Sequence, residues 1–523
     1  MYDLILSGGL IVDGTRSKPY KANLCIANGK ISRITTDPVT DAKEVLDVTG
    51  LAIAPGFIDP HSHADDAHLN DYPVESQLAQ GVTLEIAGNC GTSVMPATEA
   101  RMEEMNRYML QHAKKGAFLS IEDYAARGNA HGSCIHYSSL IGHSNLRMSV
   151  MGFVNRDPDA EEMEQLKALL EQEMQRGAFG MSLGLIYPPS AFSSREELVE
   201  LAKVVAKYDG ILAVHMRNEG PRLFEAVDEM LDIAQRSGVH LHISHLKLMG
   251  KPQWGKSDQL LQRLDDARAK GIQVTCDQYP FTASSTSLSA LVPHWAHEGG
   301  AEAMVERLIH DDGTITAAMQ QEMDNRGGPE AVLVVTTRNK YPQWEGKNLA
   351  QLGAEFDLSP VDAAKKVLID CQATVSCVYF SMNEADMLNI MKQMFICVGS
   401  DGGSISHDPQ YTRCVPHPRY FCAFTRFYQT VREHQLMPLE DAVYKTTALP
   451  ASILGIRDRG LLKEGMVADI AVFDPETIGS AATFLESRVR PVGVHHVIVN
   501  GRLALRDGVS TGILAGSVIR KSL

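Results

Sequence analysis

The stretch Gly56-Phe57-Ile58-Asp59-Pro60-His61-Ser62-His63 decides how this chain is read. An apolar run ends in two histidines at i and i+2, and on an extended chain those positions point to the same side. Both imidazoles can therefore reach one ion above the end of a strand. Four more residues of ligand type each close a run that reads as a strand. Cys90 sits in Gly88-Asn89-Cys90-Gly91, His215 follows Ile211-Leu212-Ala213-Val214, His245 follows Leu241-His242-Ile243-Ser244, and Asp401 follows Cys397-Val398-Gly399-Ser400. Each alone has an ordinary alternative: a buried core cysteine, a hydrogen-bonded core histidine, a turn aspartate. Together they place four histidines, one cysteine and one aspartate at strand ends. Barrels of alternating strands and helices carry their chemistry at that rim, and imidazole, thiolate and carboxylate are the ligands zinc prefers.

Outward from this stretch, short apolar runs alternate with helical ones. The strand candidates are Gly56–Asp59, Val82–Ala87, Ser139–Ile141, Gly180–Leu183, Ile211–His215, Leu241–His245, Gln273–Cys276 and Phe395–Gly399. Helices are expected at Glu161–Gln175, with apolar Met163, Leu166, Leu169 and Leu170 at helical spacing, and at Arg195–Lys207. Both chain ends read instead as short strands and turns, with Asn28-Gly29 and Asn500-Gly501 as turn signals. The fold expected is α/β: a TIM-like (β/α)8 barrel with a small β-sandwich domain formed from both termini and an inserted subdomain. The boundaries are 1–55 and 456–523 for the small β domain, 56–287 and 341–455 for the barrel, and 288–340 for the insertion. That last stretch is rich in charge, Gly and Met and too long for a connecting loop.

Composition narrows the partners. The 523 residues are 44% hydrophobic and 22% charged, as in ordinary globular proteins. A formal net charge of -15 repels phosphate backbones and anionic lipid, so neither nucleic acid nor membrane is expected as a partner. A small substrate bearing a carboxylate stays compatible, since a few local cations override the global field. No stretch of about 18 apolar residues suggests a membrane span, and the N-terminus reads as a strand rather than a signal peptide. Nine scattered cysteines without a C-x-x-C pair fit reduced thiols and a cytoplasmic location.

The Gly88–Gly91 segment, Gly142-His143-Ser144 with Arg147, Gly184-Leu185-Ile186-Tyr187-Pro188-Pro189, His215-Met216-Arg217-Asn218-Glu219-Gly220, His417-Pro418-Arg419 and Gly465-Met466-Val467-Ala468-Asp469-Ile470 together resemble the amidohydrolase superfamily. Within it they are similar to the D-aminoacylase (N-acyl-D-amino-acid deacylase) family over nearly the whole chain. Where many amidohydrolases bridge two metals with a carboxylated lysine, that family uses the cysteine of G-N-C-G. Two departures bear on substrate preference. Asn218 stands where the family often has Asp, and the segment after Asp401 is longer, with the additional residues Gln410 to Pro416.

The resemblance implies a metal-dependent barrel of the amidohydrolase type. It implies one tightly bound Zn2+ on Cys90, His215 and His245, and a second, weakly bound one at His61 and His63 with Cys90 bridging and Asp401 nearby. It also implies that Lys247, Tyr279, Ser285 and Arg419 hold the substrate carboxylate. The chemistry follows from elementary grounds: an amide is a poor electrophile, and a metal both polarises it and acidifies water. Asp401 can then serve as general base and acid. The activity implied is zinc-dependent hydrolysis of N-acyl-D-amino acids. The alternatives are a dipeptidase for dipeptides ending in a D-residue, a cyclic-amide hydrolase, which Cys90 disfavours, and a non-catalytic barrel, which would be expected to lack some of the six ligands.

Overall fold

The computed structural model describes residues 1–109, 115–411 and 416–522. Part of the Gln410 to Pro416 stretch and one of the nine cysteines lie outside the described residues.

Eight parallel strands form the barrel. Phe57–Asp59, Val82–Ala87 and His136–Ser139 run side by side. Ile141–Gly142, Gly180–Gly184, Ile211–His215, His240–Ile243, Val274–Gln278 and Ile396–Val398 form the longer arc. The third strand, expected at Ser139–Ile141, is split at Leu140 into two short segments. The first and last strands meet just beyond their ends: the Ser400 N–H and hydroxyl donate to the Asp59 carboxylate at 2.9 and 2.5 Å, and the Asp401 N–H donates to the His61 carbonyl at 2.8 Å. Helices form where the apolar period predicts them. Ala160–Gln175 opens with a reciprocal capping box between Asp159 and Glu162, and Arg195–Lys207 starts at a Ser194 cap.

Both termini build one nine-stranded sheet. Ala52–Pro55 from the N-terminal side pairs antiparallel with Ile470–Phe473 from the C-terminal side. Alternate residues of this sheet, among them Leu4, Leu6, Leu24, Ile26, Ile470 and Val472, form a core of their own. The last residues depart from the expected domain. The chain leaves the sheet and lies along the barrel, where the Ser138 hydroxyl donates to the Ile519 carbonyl at 2.7 Å and Lys521 N–H to Gly177 at 2.8 Å.

The insertion also differs from the expected 288–340. A three-stranded antiparallel sheet of Ser284–Ser287, Ser376–Tyr379 and Val332–Thr336 frames it. A separate apolar core runs from Leu288 through Leu349, Leu352, Val367 and Leu368 to Tyr379. Helices Leu349–Phe356 and Pro360–Asp370 carry the apolar period of barrel helices, which is why pattern alone assigned them to the barrel; their apolar faces meet the insertion's core instead. Among the described residues no helix is long and apolar enough to cross a membrane.

Candidate active site

The ends of the barrel strands deliver the candidate ligands to one buried cluster. Donor atoms of His61, Cys90, His245 and Asp401 lie within 4.8 Å of one another, as do those of His215, Glu219 and His245. Cys90 Sγ is 3.4 Å from His61 Nε2 and 3.5 Å from His245 Nε2. His63 reaches the cluster through Asp401, with Nε2 2.9 Å from Oδ1.

Local backbone explains how short strands present these groups. Cys90, His245 and Asp401 adopt left-handed φ values of 51°, 39° and 49°. That conformation costs a non-glycine residue about 1–3 kcal/mol and tends to persist where the surroundings over-determine it, often at functional sites. The glycines flanking Cys90 complete the turn. At Gly91, φ is 81° and a Cβ would lie 2.4 Å from the Gly184 nitrogen. The G-N-C-G pattern is therefore a sharp turn packed against the next strands, with the thiol at its apex.

Carboxylates behind the imidazoles decide which ring nitrogen faces the cluster. Asp277 sits 3.0 Å from His61 Nδ1 and 3.0 Å from His242 Nε2, and accepts the His245 N–H at 2.9 Å. Burial alone would raise its pKa, but His61 and His242 outweigh burial and hold it ionised. Glu219 Oε1 lies 3.0 Å from His245 Nδ1 and 2.6 Å from Lys247 Nζ, with the ammonium 2.7 Å from the same Nδ1. Burial again acts against the charge, and Lys247 with His215 and His245 holds Glu219 well below the usual carboxylate range. With His245 Nδ1 turned to Glu219, Nε2 is the ring nitrogen that faces Cys90. Burial would raise the Cys90 thiol; His61 and His245 more than offset this and hold it well below its ordinary value.

Asp401 has each oxygen engaged: Oδ1 by His63 and Oδ2 by Arg419 Nη1 at 2.7 Å. Arg419 overcomes the burial that would raise this carboxyl, keeping it well below 3.8. Lys247 and Arg419, read from sequence as a clamp for a substrate carboxylate, thus also hold Glu219 and Asp401. Ser285 contributes its carbonyl to Arg419 Nη2 at 3.3 Å. Among these site residues, the Tyr279 hydroxyl, Arg419 Nε and both ring nitrogens of His215 are buried without a hydrogen-bond partner, His215 Nε2 lying 3.6 Å from Glu219 Oε2. All of these residues line one cavity of about 570 Å³ whose far wall belongs to the insertion.

The donor set fits a zinc ion. It offers a thiol held as thiolate, imidazoles pinned from behind with Nε2 facing inward, and a histidine with neither nitrogen committed. Sequence reading missed Asp277 and gave Glu219 no role. Asp277 lies next to the end of its strand Val274–Gln278, and Glu219 stands four residues after His215 in the loop that follows; neither signal separates a carboxylate that orients a ligand from a surface acid.

Comparison with known proteins agrees with this geometry. The amidohydrolase family matches residues 44–336 and 395–504. The chain is 32% identical over 522 residues to a D-aminoacylase of Alcaligenes xylosoxydans xylosoxydans, covering 100% of this chain and 98% of that protein. It is 33% identical over 505 residues to an N-acyl-D-glutamate deacylase of the same organism, covering 95% and 93%. The crystal structure of N-acyl-D-glutamate deacylase from Bordetella bronchiseptica, complexed with zinc and a phosphonate mimic of the tetrahedral intermediate, superposes with a TM-score of 0.84 at 31% identity, covering 99% of each chain. A D-aminoacylase structure described for one-metal activation and second-metal attenuation at a binuclear centre matches with a TM-score of 0.84 at 30% identity, covering 100% of each chain. The chain belongs to the amidohydrolase family. Within it, this is a metal-dependent amidohydrolase of the D-aminoacylase type.

Proposed function

We propose that this enzyme hydrolyses the amide bond of N-acyl-D-amino acids, releasing a carboxylate and a free D-amino acid. The observation that carries the reading is the Cys90 sulfur set 3.4 and 3.5 Å from Nε2 of His61 and His245, with the His215 ring beside His245. Cys90, His215 and His245 would hold the tighter zinc, and His61 and His63, with Cys90 and Asp401, a weaker second one. Zinc in that position polarises the scissile carbonyl and lowers the pKa of a nearby water towards about 7. Asp401 accepts a proton from the attacking water and delivers it to the leaving nitrogen. His63 and Arg419 hold its two oxygens apart and fix its direction.

Tyr279 and Arg419, which line the cavity, receive the substrate's α-carboxylate, with Lys247 adding charge and Ser285 lining the same wall. With the carbonyl and the carboxylate both anchored, one direction is left for the side chain, which is the basis for choosing D over L. The eight described cysteines are unpaired and buried, in keeping with a reducing, cytoplasmic setting.

The experiment is kcat/KM on N-acetyl-amino acids and on dipeptides ending in a D-residue, in D and L series, with zinc content measured on wild type and Cys90→Ala. The reading expects strong D preference, faster deacylation than dipeptide cleavage, and loss of most zinc and turnover in the variant. Equal D and L rates, or full zinc in Cys90→Ala, overturn it.

A further inference from the structure

The cavity wall opposite the metal cluster carries a second cation whose bonding is unfinished. Arg326 closes the helix Thr314–Asn325 of the insertion, and its side chain is only 6% exposed. A guanidinium has five N–H donors, and the one on Nε goes to Glu322 Oε1 at 2.8 Å. The other described contacts are not oxygen acceptors: Nη1 lies 3.9 Å from Met249 Sδ, and the group stacks over the Tyr379 ring at 4.9 Å. Four N–H hydrogens thus have no oxygen to accept them among the described residues, and the residue lines the cavity, where a ligand oxygen can reach it. Both Arg326 and Met249 line the same cavity as Asp401 and Arg419. Met249 stands two residues beyond Lys247, and its N–H donates to the Glu219 carbonyl at 2.9 Å. The segment touching Arg326 is thus the one that carries the site.

We infer that Arg326 receives a second carboxylate of the substrate, so that the preferred substrates are diacids. The inference rests on the deacylase reading. The α-carboxylate is taken by Tyr279 and Arg419 on the barrel side. The Nη edge of Arg326, on the insertion side, has the planar fork that a carboxylate matches with two parallel hydrogen bonds. A cavity of about 570 Å³ leaves room for an acidic arm on either half of the substrate, the D-amino acid's side chain or the acyl group.

The zinc-loaded enzyme distinguishes these sources with two acid and amide pairs: N-acetyl-D-glutamate against N-acetyl-D-glutamine, and N-succinyl-D-leucine against its terminal amide. In one pair the wild type should prefer the acid by at least about tenfold in kcat/KM, and the pair concerned names the arm that Arg326 reads. Arg326→Gln should reduce that acid-to-amide ratio at least tenfold, and Arg326→Lys, which keeps the charge without the fork, should retain part of it. If Arg326→Gln does not fold, the ratio in Arg326→Lys carries the comparison and must fall below wild type. Acids and amides cleaved equally by the wild type, or an acid preference unchanged in the variants, overturn the proposal and leave the deacylase reading standing. Failure to cleave any of the four overturns both.

Discussion

The rim of the barrel and the facing wall of the insertion line the same cavity but are finished differently. At the rim, nearly every charged group already has a partner: Asp277 with His61 and His242, Glu219 with His245 and Lys247, Asp401 with His63 and Arg419. On the insertion, the Nη edge of Arg326 has no oxygen acceptor among the described residues. A site that must hold its reacting groups in one geometry needs them braced against each other before substrate arrives. A wall that selects among substrates needs donors that only the correct substrate satisfies. On the proposed reading, the barrel supplies the reaction and the anchor for the α-carboxylate, and the insertion adds a donor that a second carboxylate would satisfy.

The largest expected effect tests the bracing at its centre. Asp401→Asn keeps the shape but removes the proton acceptor and the Arg419 counter-charge, and kcat should fall by at least about a hundredfold while the variant remains folded with a lowered Tm. A folded Asp401→Asn enzyme with near-normal kcat would make the rim's paired carboxylate a structural group and end its assignment as base.

A smaller effect is expected one step behind the ligands. Without Glu219, the Lys247 ammonium is left as the hydrogen-bond partner of His245 Nδ1, which puts the ring proton on Nε2, the nitrogen that should bind metal. Glu219→Ala should weaken zinc affinity by about 10- to 100-fold, the usual range for an orienting partner. Adding Lys247→Met should recover part of that loss, because neither tautomer is then imposed. Competition with a chelator reads both variants, and a double variant no tighter than the single one would remove the tautomer argument.

The smallest effect lies away from the rim, at a buried charge that forms no ion pair among the described residues. Lys445 is buried against the Gln393 carbonyl, and burial pushes its ammonium down to about 7 from an ordinary 10.5. Below pH 7 it is charged in both folded and unfolded states, and the burial cost is carried in full. Between about 7 and 10.5 the unfolded chain binds a proton that the native state does not, so this residue makes stability rise with pH. Lys445→Met should therefore raise Tm by about 2 °C near pH 6, with the gain shrinking as pH approaches 10. A gain that is constant across that range would mean Lys445 is not neutralised by the fold.

Much of this molecule is legible in its sequence because the relevant signals are local. Apolar runs of strand length, each ending in His, Cys or Asp, mark the barrel and its rim, since a strand's direction places its last residue at the mouth. Gly88 and Gly91 around Cys90 are visible as a pattern even before their left-handed backbone is known. What only the tertiary structure decided depends on contacts between distant segments. The apolar faces of Leu349–Phe356 and Pro360–Asp370 look the same whether they pack on a barrel or on an insertion, so the insertion's extent appears only with its core. Lys247 and Arg419 read as free cations until Glu219 and Asp401 are found 2.6 and 2.7 Å away. Arg326 reads as a surface arginine at a helix end until the fold buries it in the cavity wall. Residue type and spacing carry the chemistry a group can perform; its partners, and so its charge and direction, are set by which distant segments the folded chain brings beside it.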